Sequence, residues 1–183
     1  MSSIPLDIAP LVTDRLVLRA PVAADYPAFR DFYASDRSQF TGGPLDERLA
    51  WRGFSALLGH WLIHGFGLRT VTEKGSDTPL GYVGVWYPGT WPEPEIGWTL
   101  YPAAEGRGLG HEAASAVRDH VFATLGWATV VSYILPQNAR SIALAERLGA
   151  LRDDAATRPP HAPDCLVYRH PHPAGDGGME AYA

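Results

Sequence analysis

The segment from Pro94 to Ala114 restricts this chain more than any other part of it. A run with strand character, Glu95-Ile96-Gly97-Trp98-Thr99-Leu100, passes through Tyr101-Pro102 to glycines at 106, 108 and 110, and at once into helix-like sequence. A helix that begins this soon after a strand leaves its first backbone N–H groups without internal partners, aimed outward where an anion can sit. Glycines at alternate positions let the loop curl and let a phosphate approach the main chain without interference from Cβ. Three glycines taken alone also suit a tight strand-to-helix turn. With the flanking pattern, the expectation is a ligand that carries phosphate.

The rest of the chain supplies a scaffold for such a loop. Leu16 to Ala20 reads as a short first strand, closed by Pro21. Tyr26, Phe29 and Phe32/Tyr33 recur at helical spacing over Asp25 to Tyr33. Trp51, Phe54, Leu57/Leu58 and Trp61 mark a second helix, ended by Gly65 and Gly67. Strands at Leu68 to Thr72, Leu80 to Trp86 and Glu95 to Leu100 form an antiparallel meander, with polar and Pro-Gly turns between them. After the glycines, Leu109, Ala113, Val117, Val121 and Leu125 line one face of a long helix. Val130 to Leu135 is a β-branched, buried strand, and Asn138 to Leu148 is a helix with Gly149 where a left-handed cap belongs. Ala150 to Arg152 and Leu166 to Arg169 are the last strands, separated by a loop from Asp153 to Asp164. The expected fold class is therefore α/β, mixed α+β, with helices on both faces of a mostly antiparallel sheet of about seven strands. Residues 1–169 are expected as one domain and 170–183 as a disordered tail, since His170 to Ala183 holds prolines and glycines without periodicity.

Composition narrows the partners. A chain of 183 residues can bury a full-sized core. A formal net charge of -5 and the lack of a basic run argue against nucleic acid. The single cysteine, Cys165, excludes an internal disulfide and suits a reducing compartment. Met1 to Asp14 lacks a secretion pattern, and no apolar run approaches the roughly 18 residues of a membrane span. A cytoplasmic protein with no membrane partner is expected, as monomer or homodimer.

With strand, glycine loop, helix, strand and an Asn-led helix in this order, the chain resembles the GNAT family of N-acetyltransferases. Within it, the resemblance is to the branch of the ribosomal-protein alanine N-acetyltransferases RimJ and RimL. Its carriers are Thr13-Asp14-Arg15-Leu16-Val17-Leu18-Arg19, Glu95-Ile96-Gly97-Trp98, Gly106-Arg107-Gly108-Leu109-Gly110, and Asn138-Ala139-Arg140-Ser141 with Glu146-Arg147-Leu148-Gly149-Ala150. The family's phosphate signature, Gln/Arg-x-x-Gly-x-Gly/Ala, falls on Glu105 to Gly110. Glu105 departs from it, and a carboxylate facing a pyrophosphate is repelled, so Glu105 is expected to turn outward. The resemblance implies that a splayed strand pair holds acetyl-CoA, the acyl donor. It places the pyrophosphate on the backbone of Arg107, Gly108, Leu109 and Gly110, with Arg107 adding charge; His111, beside the loop, is within reach of a phosphate, though a solvated helix-start residue is its plainer role. It also implies that the main chain of Trp98, Thr99 and Leu100 pairs with the pantetheine arm, and that Asn138 contacts it besides capping its helix.

Acetyl transfer from a thioester to an amine needs a free amine, a stabilised oxyanion and a protonated thiol. An α-amine titrates near roughly 8 and a lysine near about 10.4, so either benefits from a base. No enzyme nucleophile is required when both substrates are held together, and none is evident. Strand alternation puts Glu95, Gly97 and Thr99 on one face and Ile96, Trp98 and Leu100 on the other. The resemblance implies a glutamate in or near this strand, which makes Glu95 the candidate base, directly or through water; it also suits an ion pair or a solvated position. Many family members carry a tyrosine acid in the last helix, but Ala145 stands there, and Ser141 is the substitute the branch suggests. A first-turn helix serine is its plainer role.

The acceptor is expected to be an amine, on a small molecule or a protein N-terminus. In this architecture Tyr33, Phe40, Trp51, Trp61, Trp86 and Trp91 would border its cleft, though aromatics at helical spacing also build cores. His60 and His64, four residues apart, lack a third metal ligand, so no metal is expected and both are placed at the surface. Glu112 complements the helix N-terminus. A nucleotide-binding Rossmann pattern fails, because the glycines lie late and follow a meander. The alternative to an enzyme is a non-catalytic acyl-CoA-binding or partner-binding module that kept the fold, which Glu105 and Ala145 motivate.

Overall fold

The computed structural model describes residues 8–172. In chain order the strands are β1 (Leu11–Val12), β2 (Leu16–Arg19), β3 (Leu68–Glu73), β4 (Gly81–Trp86), β5 (Glu95–Leu100), β6 (Val131–Ile134), β7 (Leu151–Arg152) and β8 (Leu166–Arg169). The helices are α1 (Tyr26–Tyr33), α2 (Glu47–His64), α3 (Leu109–Ala123) and α4 (Ala139–Arg147). All eight strands lie in one sheet, ordered β1-β2-β3-β4-β5-β6-β8-β7. Every pairing is antiparallel except β5 with β6. The strand beyond the expected seven is β1, whose two residues pair with β2. Two residues are too few for an alternation signal, so only the hairpin partner discloses it.

Register decides what each face meets. Leu68 and Thr70 of β3, Tyr82 of β4 and Thr99 of β5 share one face, and Val71, Val83 and Trp98 share the other. The second face is covered by α3, whose Leu109, Ala113, Val117 and Val121 pack with Leu16, Leu18, Val71, Val83 and Ile96 in the largest buried cluster. The first face carries α1 and α2 through Phe29, Phe32, Phe54 and Leu57, against Leu68 and Tyr82. Burying one large apolar side chain contributes about 1.5–3 kcal/mol, so each cluster firmly sets its helix.

Capping follows the sequence closely. Asp46 accepts from the Leu49 N–H (2.7 Å) at the start of α2, and Asn138 from the Ser141 N–H (3.2 Å) at the start of α4. Gly149, after α4, has φ +79, the left-handed conformation that favours glycine. Asp25, nearly fully buried, takes both Arg19 guanidinium nitrogens, the Val22 N–H and the Thr70 hydroxyl, tying the entry of α1 to β2 and β3.

Two expectations are corrected by packing. His60 is buried, not surface-lying. Its Nε2 accepts from the Tyr87 N–H (2.9 Å), so Nδ1 carries the proton and donates to the Phe66 carbonyl (2.8 Å), while the ring stacks on Trp86. Burial lowers its pKa and both nitrogens are committed to backbone. His170, assigned to the tail, is 2 % exposed and holds Ser132. Residues 173–183 of that tail lie outside the described residues.

Candidate active site

The site is built on a fork in the sheet. Between β5 and β6 the only register pair is Glu95 with Val131, supported by the Val131 N–H to the Pro94 carbonyl (3.2 Å). One residue further, the Ser132 hydroxyl reaches across to the Ile96 carbonyl (2.6 Å) in place of a backbone donor. With that hydroxyl proton committed, His170 Nε2–H donates to Ser132 Oγ (3.0 Å), which leaves Nδ1 as a buried acceptor without a partner. Burial holds the His170 pKa down at about 4, so the ring is neutral and Ser132 is held in one rotamer. Past this point the strands diverge. The Ile96 carbonyl points toward β6, so by alternation Trp98 and Leu100 turn their N–H and C=O groups into the gap.

The glycine loop closes the wide end of the fork. Gly108 has φ +74 and caps α3 without a side chain. The first helical bond runs from the Glu112 N–H to the Gly108 carbonyl (3.2 Å), so the N–H groups of residues 109–111 precede the ladder. A Cβ built on Gly106 meets nothing within 4 Å, and one on Gly108 meets only Arg15 Nη2 at 3.6 Å. Space beside Gly106 and Gly108 is therefore open. Unpartnered amides beside open space have the chemistry to hold an anion.

Charges around the loop differ from expectation. Glu105 lies at the exposed surface, yet its carboxylate is not left to solvent alone. Its carboxylate sits between Arg37 and Arg140 Nη1, the latter at 2.9 Å, so two guanidiniums offset the repulsion that a carboxylate at this position implies. Arg107 leans onto Glu73 and the Ala103 carbonyl, away from the loop amides. His111 Nε2 is 3.3 Å from the Arg147 carbonyl on α4. Arg15, which sequence reasoning did not single out, is the guanidinium that touches the loop. It donates to the Arg107 carbonyl (3.0 Å), and its Nε and N–H are both held by Glu112, as is Thr13 Oγ1. Glu112 thus pins the β1–β2 hairpin to the start of α3, beyond any effect on the helix dipole. The signal available in sequence was the Thr13-Asp14-Arg15 motif itself.

Ser141 lies in the first turn of α4, and its Oγ accepts from the Trp98 indole N–H (3.1 Å). Its own O–H is therefore directed away from Trp98 and can donate. Both residues line a cleft of about 740 Å³, with Asn138, Thr99 and Glu95. Ala145 is fully buried with Ile134, Ala150 and Tyr168, on the core side of α4.

Glu95 stands where the fork opens, on the face toward α1 and α2. Trp91 Nε1 donates to its Oε2, and a Cβ on Gly97 would come within 3.5 Å of its Oε1. The carboxyl group is ringed by protein yet partly open to the cleft. Burial raises its pKa from 4.5 to about 7, and the Trp91 N–H acts in the opposite direction. A carboxyl poised near neutrality can accept a proton from an amine and release it again.

Of the expected aromatic border, Tyr33, Phe40, Trp86 and Trp91 line the cleft. Trp51 lies exposed on α2 beside Tyr26, and Trp61 is buried with its N–H on the Leu68 carbonyl. Tyr82 and His161 complete the wall. Tyr33 donates to the Thr41 carbonyl (3.1 Å), so Tyr82 donates to Tyr33, and the pair is locked. His161, from the loop before β8, packs its ring 4.3 Å from Trp91. No periodicity marks that loop residue. Among the described residues no group of three or more His, Cys, Asp or Glu side chains could hold a metal ion, and no helix is long and apolar enough to cross a membrane.

Comparison with known proteins agrees with this geometry. The family model described as "Acetyltransferase (GNAT) domain" matches residues 15–151. The crystal structure of an acetyltransferase from Agrobacterium tumefaciens str. C58 is 42 % identical, covers 93 % of this chain and 98 % of its own, and has a TM-score of 0.85. A GNAT-family acetyltransferase from Bacillus anthracis is similar in fold, at 20 % identity, coverage of 88 % and 96 %, and a TM-score of 0.70. So is a ribosomal-protein-S5-alanine acetyltransferase from Vibrio fischeri, at 14 % identity, coverage of 91 % and 98 %, and a TM-score of 0.66.

Proposed function

Since the chain belongs to the GNAT acetyltransferase family, we propose that it carries the acetyl group of acetyl-CoA directly to a primary amine within a ternary complex. The observation that carries this reading is the fork between β5 and β6, with the glycine loop at its wide end and Glu95 at its apex. Acetyl-CoA, the donor substrate, supplies an activated thioester carbonyl.

The chain's own residues do the rest. The amides from Arg107 to Gly110 hold the pyrophosphate, with Arg15 closer to it than Arg107. The open edge of Trp98 to Leu100 takes the pantetheine arm as an added strand, with Asn138 beside it, and one of its N–H groups polarises the thioester carbonyl. Glu95 takes a proton from the amine, directly or through a water. As the C–S bond breaks, Ser141, held by the Trp98 indole, gives its hydroxyl proton to the departing sulfur as the proton taken by Glu95 is passed back to it through water, which restores both groups. Positioning of the two substrates supplies a large share of the acceleration. A RimJ/RimL-like role on a protein N-terminus and a cytoplasmic location belong to the same proposal. The former draws on the fold shared with the Vibrio fischeri enzyme.

Ala145, buried in the core where the resemblance implies a tyrosine acid, favours a second reading, a module that binds acyl-CoA without turnover. Calorimetric titration with acetyl-CoA, followed by an assay of thiol released with a panel of amines, separates the two. Binding with amine-dependent thiol release is expected. Binding without release on any amine supports the module, and absence of binding overturns both.

A further inference from the structure

Among the described residues the cleft is lined by no lysine or arginine. Its acidic side chains are Glu95 and Asp164, and the His161 ring packs against Trp91. Four of the chain's guanidiniums are engaged by other groups. Arg169 donates to both oxygens of Glu93 (2.7 and 2.9 Å) and to Asp153 (2.9 Å). Arg158 donates to the Cys165 carbonyl (2.9 Å), and Arg37 and Arg140 are engaged by Glu105. The walls are apolar and aromatic, led by Phe29, Leu57, Trp86 and Trp91.

An acceptor bearing a carboxylate or a phosphate beside its amine would enter this space with an anion facing Glu95 and Asp164 and no lysine or arginine to meet it. Burying an unmatched charge is strongly unfavourable. An ammonium, by contrast, meets Glu95 and the faces of aromatic rings, and an uncharged body fits the walls. We infer that the acceptor is a primary amine on an apolar, uncharged body with no neighbouring carboxylate, which excludes free α-amino acids. This rests on the amine-acetylation reading above and narrows its substrate. The chemistry is shared by an arylalkylamine and by a peptide N-terminus with an apolar first residue, whose own carboxyl group is spent in the peptide bond.

The test uses the full chain saturated with coenzyme A, which blocks turnover. Calorimetry measures the affinity of phenethylamine, phenylalanine amide, free phenylalanine, a phenylalanine-led tripeptide amide and spermidine. Free phenylalanine should bind at least about 30-fold more weakly than its amide, and spermidine more weakly than phenethylamine. Tripeptide amide against phenethylamine identifies the source of the amine. Equal affinity for phenylalanine and its amide, a preference for spermidine, or no binding of any of the five would overturn the inference. Thiol release from acetyl-CoA is read separately. The stated preference without release removes the transferase reading and the acceptor assignment with it, leaving an amine-binding cleft; equal release with phenylalanine and its amide keeps the transferase reading and overturns this inference alone.

Discussion

Replacing Glu95 by glutamine should move activity and stability in opposite directions, and only where the carboxyl group is ionised. Its pKa rises from 4.5 to about 7 because burial penalises the charged form. A carboxyl whose pKa is higher in the folded state than in the unfolded chain favours folding most below pH 4.5, and this contribution is lost as pH rises through about 7. At about 1.36 kcal/mol per pH unit, the interval from 4.5 to about 7 sets a ceiling of about 3 kcal/mol. The cleft admits water to the group, so about 1–2 kcal/mol is the expected effect. Glutamine has the shape of the neutral acid, and its carbonyl can still accept the Trp91 N–H. Glu95→Gln should therefore melt about 2–8 °C above the parent at pH 8 and together with it near pH 4.5. Its turnover should fall about 10²–10⁴-fold at pH 8, the usual contribution of a positioned base. The ratio of parent to variant kcat/KM should rise about tenfold from pH 6 to pH 8, following the ionised fraction of Glu95. Taking the ratio divides out the ionisation of the acceptor itself. A melting difference that is the same at pH 4.5 and pH 8 would refute the burial argument, and a fully active variant would clear Glu95 of the base role.

The other predictions concern the loop, the acid and the fork. Gly108→Val places a branched residue at φ +74, unfavourable by about 1–2 kcal/mol, and crowds the open space over the loop; acetyl-CoA affinity by calorimetry should drop at least about tenfold, and an unchanged value removes the phosphate-loop assignment. Ser141→Ala should lower kcat while leaving the affinity for acetyl-CoA in place, and an unaltered kcat would pass the proton to solvent or to the amine. Ser132→Ala strips the Ile96 carbonyl and His170 Nε2 of their partner, so denaturant unfolding should show a loss of about 1–3 kcal/mol. A variant as stable as the parent would mean that the fork is held by backbone pairing alone.

Much of the scaffold was legible because its signals are local. The apolar stripe of α3, the alternation in β5, Asn138 as a cap and the left-handed Gly149 each depend on residues a few positions apart. Face assignment in β5 followed from period 2, whereas the choice of Glu95 as base came from the family resemblance. The unread features depend on partners far away in sequence. Glu105 lies between Arg37 and Arg140. Arg107 is drawn to Glu73, Arg15 takes the place at the loop, and His170 holds Ser132 across the fork. Nothing within a short window distinguishes an arginine that faces a phosphate from one that faces a glutamate.

The amino-acid order by itself determined the succession of strands and helices, the glycine loop and the residue types offered to a site. Backbone propensity and hydrophobic period act over a few residues, and they suffice for that. Only the folded chain decided which ionic groups neutralise one another, where β5 and β6 part, and how far burial shifts the Glu95 carboxyl. Those outcomes are set by desolvation and by competition among charges, and both exist only once distant segments have been packed together.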